Sequence, residues 1–341
     1  MDKWLKIFNV QYRERLLDLS WRQWTTLGVP GQAQMTSGSL IDPDALLIFS
    51  CFIARYDQRL FDEILEWLAS NGSLLNIQRL KRMIPNSPQP IRSVLGAVAL
   101  WERNRGAESK WASLSQSLQV PGGEEPLFFL KEGKPLPASR KTDPIFRERG
   151  LLRNEVKFRN HGKSFSPDRP ANLLLKLRAF LGVNSRADLA AYLLTHGEAN
   201  AYEMARTCWF SQRAVHDALT EMRRSQLIHS AEKGRQIVYF IQRDRWEGFL
   251  KVIPPLPEWR NWPVIFGLLH RIHEKLNDEK VLQASGEPLS SELFLFARNL
   301  KTAMHEAGLG KIWLQHSPES AGPAALSLEK MVFAILDAIS Q

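Results

Sequence analysis

Residues 211–241 decide the fold of this chain, and they read SQRAVHDALTEMRRSQLIHSAEKGRQIVYFI. In the first part of this stretch the apolar residues recur at the spacing of one helix face, and they are Val215, Leu219 and Met222. Polar and charged residues occupy the other face, and Ser211 has a side chain that commonly caps a helix N-terminus. The pattern therefore predicts an amphipathic helix over residues 211–224.

After this helix the period of the apolar residues changes from about 3.6 to about 2. Residues 227–230 and 236–241 are rich in β-branched and aromatic side chains or alternate apolar with polar ones, which is typical of strands. Residues 231–235 between them are polar and include a glycine, as in a hairpin turn. We therefore expect a β-hairpin with a basic tip.

Three further helices are predicted upstream. An apolar segment over residues 173–180 forms the first, and Ser185 is expected to cap a second that ends near Gly197. Residues 202–205 belong to a short third helix, and a tight turn at residues 208–210 leads into the amphipathic helix.

This order of elements resembles a winged helix-turn-helix. Residues 185–241 in particular resemble the winged-helix domains of bacterial transcriptional regulators of the MarR and ArsR types. The matching positions are Gly197, Met204, Ala205, Phe210, Ser211, Val215, Leu219, Leu227, Ile228, Val238, Tyr239 and Phe240. The vicinal cysteines of ArsR-type metal sensors are missing from this sequence, so we expect neither a bound metal nor another cofactor.

The resemblance implies that helix 211–224 enters the major groove of double-stranded DNA, with hairpin residues 231–236 on the backbone or in the minor groove. Arginine and glutamine side chains suit purine edges, and basic side chains suit phosphates. The candidate DNA-binding residues are Ser211, Gln212, Arg213, His216, Thr220, Arg224, Lys233 and Arg235. Such residues also occur on solvated helix faces and hairpins that bind nothing, so both interpretations stay open at this point.

Composition divides the chain into four regions, with a mainly α fold and a small β-hairpin wing. Residues 1–120 predict an N-terminal helical domain, and three of its short helices have the order of a second helix-turn-helix. Residues 121–171 form a basic, irregular linker or arm. Residues 172–252 hold the central winged helix-turn-helix, and residues 258–341 predict a C-terminal helical domain after a proline-rich boundary at 253–257.

Two details of these regions can be compared with the structure. In the N-terminal region, Asp42 is expected to cap one helix and Ser73 to cap another. Between Lys131 and Arg169 there are 11 Lys and Arg against 5 Asp and Glu. This excess indicates either a solvated linker or an arm that follows a phosphate backbone.

Composition also excludes several classes of protein. The chain has 341 residues, a formal net charge of +9 and two cysteines. The charge favours an anionic partner, and two cysteines cannot make a disulfide framework. The sequence has no apolar run of membrane-spanning length and no signal peptide, so we expect a soluble, cytoplasmic protein without a membrane partner.

Patterns typical of enzymes are weak. Asp143 with Glu155 and Lys157 has the form of a metal-dependent nuclease site, but such a pattern is common in a charged chain. His270 and His273 lie three residues apart without a further ligand at metal-binding spacing. There is no phosphate-binding glycine loop and no nucleophile elbow, so an enzyme is not expected.

Three hypotheses follow. The first is a sequence-specific transcriptional regulator that binds double-stranded DNA as a homodimer, with some of the 11 tryptophans at the dimer interface. The alternative is an antitoxin or accessory interaction protein of a defence or chromosome-associated complex, which uses the winged helix as a scaffold for a protein partner. A metal-dependent nuclease is a distant third.

Overall fold

The computed structural model describes residues 3–36, 38–106, 109–118, 123–138, 141–157, 159, 164–251, 255–317 and 324–340. Most of these residues are helical, and the strands are few and short, which confirms the prediction of a mainly α fold. Ile253 and Pro254 of the predicted boundary, and Arg140 and Lys163 of the basic stretch, lie outside the described residues.

The helices fall into three groups along the chain. The first comprises α1 (Lys3–Thr26), α2 (Pro43–Ile53), α3 (Gln58–Asn71), α4 (Ile77–Met83), α5 (Gln89–Asn104), α6 (Ser109–Ser117) and α7 (Pro144–Arg147). The second comprises α8 (Leu173–Leu181), α9 (Ser185–His196), α10 (Ala201–Thr207), α11 (Gln212–Arg224) and α12 (Arg243–Leu250). The third comprises α13 (Trp262–Leu276), α14 (Glu279–Gln283), α15 (Gly286–Asn299), α16 (Lys301–Glu306), α17 (Gly310–His316) and α18 (Ala324–Ile339).

Within the described residues, the strands form three small sheets. They are β1 (Glu125–Pro126), β2 (Phe128–Phe129), β3 (Pro135–Leu136), β4 (Leu151–Leu152), β5 (Ala199–Asn200), β6 (His229–Lys233) and β7 (Gln236–Phe240). β1 pairs with β4 in parallel and β2 with β3 antiparallel, whereas β5, β7 and β6 lie side by side in that order. This three-stranded sheet is antiparallel throughout.

Helix caps in the N-terminal region follow the sequence in part. The Asp42 carboxylate accepts the backbone N–H groups of Asp44 and Ala45 at the start of α2, as predicted. The prediction for Ser73 was wrong, because this residue lies in a short 3₁₀ segment over residues 72–74. Asn76 caps α4 instead and accepts the backbone N–H of Arg79 at 3.1 Å.

The first and third groups of helices share one apolar core. Phe49 of α2 stacks on Phe266 of α13 with ring centroids 4.3 Å apart. The Tyr12 hydroxyl of α1 donates to the Leu269 carbonyl oxygen at 2.7 Å. The helices at the two ends of the chain therefore bury their apolar faces against each other.

The second group of helices and the three-stranded sheet bury a separate cluster. Its members include Leu177 of α8, Leu193 of α9, Met204 of α10 and Leu219 of α11. The inner face of α11 contributes the three apolar residues that the sequence predicts, and all three are buried.

Some residues of the segment 123–157 are packed against the helical core, whereas most of its basic side chains are exposed. Phe128 and Phe146 are buried there, and the fully buried Arg153 lies over both aromatic rings. Its Nη2 atom is 2.6 Å from an Asp62 carboxylate oxygen of α3. These residues are therefore part of the folded core and are not solvated. Throughout the described part of the chain, every helix is too short or too polar to cross a lipid bilayer.

Candidate nucleic-acid interface

Helix α11 begins at a cap that the sequence predicts. The Ser211 hydroxyl accepts the backbone N–H of Ala214 at 3.2 Å, which satisfies one of the free donors of the first turn. The first side chains after the cap, Gln212 and Arg213, are exposed. The cap thus leaves the amino-terminal turn of α11 open to solvent on its polar side.

The turn before α11 has an unusual backbone. Trp209 has a φ of +61°, in the left-handed region that non-glycine residues rarely adopt. The Phe210 N–H donates to the Ala205 carbonyl oxygen at 3.1 Å, which closes the turn on α10. Burial raises the pKa of the neighbouring Cys208 thiol, and the Cys208 carbonyl oxygen accepts a hydrogen bond from Arg79 Nε at 2.9 Å. The turn is therefore attached to α4.

A set of five charged residues, which we name the buried ion network, connects this part of the fold to α2 and α4. Its members are Asp42, Asp44, Arg79, Arg178 and Asp188. Arg178 Nη2 of α8 is 2.6 Å from Asp44 Oδ2 and 2.7 Å from Asp188 Oδ1. Arg79 Nη1 is 2.6 Å from Asp42 Oδ1 and 3.0 Å from Asp44 Oδ2. All five side chains are buried.

Burial and pairing act in opposite directions on the acids of this network. Burial raises the pKa of Asp44, but the adjacent Arg178 and Arg79 outweigh it, so the pKa is lowered overall. Burial dominates at Asp188, where Arg178 and Arg79 offset it only in part and the pKa is raised. Two arginines among three aspartates leave one acid without a full countercharge, which agrees with this difference.

The hairpin after α11 differs from its sequence prediction in its bounds. Strand β6 begins at His229, two residues later than expected, and extends to Lys233, which pairs with Gln236. The turn is therefore only Gly234 and Arg235, and Gly234 has a φ of +61°, which suits a two-residue hairpin. Residues 231–233 were predicted to lie in the tip, and they are part of the strand.

Strand β5 was not predicted from the sequence. It contains two residues, Ala199 and Asn200, and it pairs with Tyr239 and Val238 of β7. A segment this short has no alternation of apolar and polar residues, so its pairing depends on the neighbouring strand. The result is a three-stranded sheet next to the helices α9, α10 and α11.

Six of the eight predicted site residues are exposed. They are Gln212, Arg213, His216, Arg224, Lys233 and Arg235, whereas Ser211 and Thr220 are half-buried. The Arg213 side chain is 92% exposed, with its Nε atom 3.9 Å from an Asp217 carboxylate oxygen. His216 Nδ1 is 3.8 Å from the other Asp217 oxygen. The part of α11 that carries Gln212, Arg213 and His216 is therefore exposed, and Asp217 lies on it between a cationic and an ionisable group.

The basic residues near α11 differ in their partners. Lys233 forms an ion pair with Glu198, and Arg186 forms one with Glu221 of α11. Within the described part of the chain, neither Arg224 nor Arg235 forms an ion pair. Arg223 at the end of α11 is also exposed, although it is not among the predicted DNA-binding residues.

Metal chemistry has little support among the described residues, where no group of His, Cys, Asp and Glu side chains could hold a metal ion. Asp143 of the nuclease-like pattern caps α7 and accepts the N–H groups of Ile145 and Phe146. His270 and His273 face the apolar core, and burial lowers their pKa values to about 4 and about 3.

Comparison of the chain with protein-family models, curated proteins and solved structures finds no match. We therefore infer its function from its own residues and their surroundings. The exposed face of α11 and the adjoining hairpin form the candidate site that these residues define.

Proposed function

We propose that this chain is a sequence-specific transcriptional regulator that binds double-stranded DNA through a winged helix-turn-helix. The observation that carries the proposal is the asymmetry of α11. Its apolar face is buried and its polar face, led by Gln212 and Arg213, is exposed at the amino-terminal turn. A helix whose apolar face is packed against the fold and whose exposed face carries hydrogen-bond donors is suited to a major groove.

The topology around α11 supports this proposal. A helix, a two-residue strand, two helices and a hairpin follow one another as α9, β5, α10, α11, β6 and β7. The strand order β5-β7-β6 puts the long hairpin strands at one side of the sheet. We propose that these elements form a winged helix with its own apolar cluster, flanked by the other helices as a separate functional module.

The chemistry of the two elements suggests a division of roles. Gln212 and Arg213 read base edges, while Arg224 and Arg235 neutralise phosphates. Asp217 weakens non-specific attraction to the backbone, because its negative charge lies on the same exposed face. A mixed face of this kind favours base reading over binding that depends on charge alone.

The proposal also covers the oligomeric state, the catalytic activity and the location of the protein. We propose a homodimer, because two copies of α11 would read two half-sites one helical turn apart. We further propose that the protein has no catalytic activity of its own and that it acts in the cytoplasm, where it would meet DNA.

A second candidate function is that of an interaction protein, such as an antitoxin or an accessory subunit. One observation favours it: Phe180 and Phe249 are 57% and 62% exposed, with ring centroids 5.2 Å apart. Exposed paired aromatic rings are common in protein interfaces.

The experiment that tests the first proposal is a selection of preferred sequences from randomised duplex DNA, followed by fluorescence anisotropy. The selected duplex and a scrambled one are titrated with wild type, with Arg213→Ala and with Arg103→Ala, which removes an exposed arginine of α5 as a control. We expect Arg213→Ala to weaken binding to the selected duplex by about 5- to 150-fold and to relax its specificity. Arg103→Ala should bind like the wild type.

Equal, weak binding of both duplexes by the wild type would contradict the regulator hypothesis. In that case the second candidate is tested with Phe249→Ser, which should abolish self-association or partner binding while DNA binding stays weak. A DNA-reading protein should instead keep its selectivity in Phe249→Ser.

A further inference from the structure

A cleft of about 530 Å³ lies where the helices of the two chain ends meet the turn before α11. Its walls come from α2, α5, α13 and α16, and they are mainly apolar. Phe49, Phe52 and Phe266 line it with aromatic rings, and Trp209 closes one side. This volume lies in the range of small-molecule sites, about 300–1,000 Å³.

The polar groups of the cleft are few and differ in depth. The Nε1 atom of Trp209 is buried and has no hydrogen-bond partner among the described residues. His270 lies beside the ring of Phe52, and burial lowers its pKa to about 4, so it is uncharged at neutral pH. The charged side chains Arg271, Glu274 and Glu306 also line the cleft, and they are exposed.

We propose that this cleft binds a small, flat, uncharged aromatic molecule. The aromatic walls provide stacking and apolar contact, and a neutral ligand avoids the cost of burying a charge. Two carboxylates against one guanidinium disfavour an anionic ligand.

The position of Trp209 links the cleft to α11. Trp209 precedes the cap residue Ser211 by two residues and has a left-handed backbone. A molecule that contacts its ring therefore acts on the segment that sets where α11 begins. We infer that occupancy of the cleft changes DNA affinity, a step that rests on the proposed function.

The first test is a fluorescence titration with Nile red, an uncharged planar dye with a carbonyl acceptor. The blocking variant is Gly267→Leu, because Gly267 lines the cleft in α13 and a Cβ there would meet no atom within 4 Å. The matched control is Gly248→Leu in α12, where a Cβ also meets no atom within 4 Å. Both helical glycines tolerate leucine, which has the higher helix propensity.

We expect wild type and Gly248→Leu to bind one equivalent of the dye with the same Kd, and Gly267→Leu to bind at least about tenfold more weakly. Trp209→Leu removes the ring from one side of the cleft, and it should weaken binding by about 2- to 10-fold. Absence of saturable binding, or equal binding by wild type and Gly267→Leu, would overturn the ligand site.

The second test measures DNA affinity with and without saturating Nile red. A change in the wild type that is absent in Gly267→Leu supports the coupling to α11. An unchanged DNA affinity in the dye-saturated wild type overturns the coupling. If the protein binds no DNA at all, the proposed function fails, while the dye titration still decides whether the ligand site exists.

Discussion

Two sets of arginine–aspartate pairs in this molecule, one in the buried ion network and one on the polar face of α11, differ in almost every physical respect. In the buried ion network, Arg178 and Asp44 are fully buried with N···O contacts of 2.6 Å. On the polar face of α11, Arg213 is 92% exposed and its closest contact with Asp217 is 3.9 Å. Arginine and aspartate are therefore held in close pairs in the buried ion network, whereas on the polar face of α11 they remain solvated.

The difference shows what a charged residue does in each environment. A buried charge must be matched in place, so the network fixes α8 and α9 relative to α2 and α4. An exposed charge is solvated, contributes little to stability and stays available to an external partner. Four predictions follow from this contrast, from the largest expected effect to the smallest.

The largest effect is expected for Arg178→Met, which leaves Asp44 and Asp188 buried without their shared partner. We expect the free energy of unfolding to fall by about 3–5 kcal/mol in urea titrations followed by circular dichroism. The control is Arg186→Met, which removes an exposed pair with Glu221 and should cost at most about 1 kcal/mol. Equal stability of the two variants would contradict the contrast.

A second prediction concerns histidines in the same two environments. His270 and His273 are buried with pKa values lowered to about 4 and about 3, so the unfolded chain takes up protons that the folded protein does not. The stabilisation that each neutral histidine contributes should therefore fall as the pH drops from about 6.5 to about 4, by up to about 1.4 kcal/mol per pH unit. Buried Glu102, whose pKa is raised to about 7, acts in the opposite direction.

The variant that checks this prediction is His273→Phe, in which the slope of the unfolding free energy against pH between about 6.5 and about 4 should be smaller than in the wild type by up to about 1.4 kcal/mol per pH unit. His273 contacts Tyr56 and Asn277, and Arg13 nearby also disfavours its charged form. The control variant is His216→Ala, which removes an exposed histidine of α11. A slope unaffected by His273→Phe would show that other groups dominate the pH dependence.

The third prediction compares a free and a paired basic residue in the hairpin. Arg235→Ala should weaken DNA binding by about three- to tenfold and reduce the slope of log K against log salt by about 1. Lys233→Ala should have a smaller effect, because Glu198 already pairs with Lys233. Anisotropy titrations at several salt concentrations measure both, and the reverse order of effects would contradict the roles proposed for the two residues.

The smallest effect is expected for Asp217→Asn. Removal of its negative charge frees Arg213 and reduces repulsion of phosphates, so DNA affinity should rise by about two- to fivefold. Glu287→Gln in α15 makes the same change in net charge at an exposed position outside α11. If both variants bind DNA more tightly by the same factor, the gain reflects net charge and not the position of Asp217.

Several elements of the fold were predictable because their signals are local. Helix α11, its Ser211 cap and the cap of α2 at Asp42 depend on contacts within a few residues. Strand β5 was not predicted, because a strand of two residues has no periodicity. The predicted hairpin turn was too long, because residues 231–233 are exposed and polar within their strand.

The residues of the candidate site were predictable from the sequence, but the contacts around them were not. The helical period places Arg213 and His216 on the polar face, but it does not show that Lys233 is paired with Glu198 while Arg235 has no such pair in the described structure. The cleft beside Trp209 had no signal in the sequence, because its walls come from segments far apart in the chain.

Local patterns in the sequence specify the mainly helical class, the amphipathic α11 and the hairpin, because helix caps and apolar periods act between near neighbours. Long-range packing, in contrast, determines which charged side chains are buried and which stay exposed. Asp42 and Asp44 are typical residues of a helix start, and Arg178 is one basic residue among many until long-range packing removes them from water together. Desolvation then makes their pairing obligatory, whereas the exposed charges of α11 remain available for a partner.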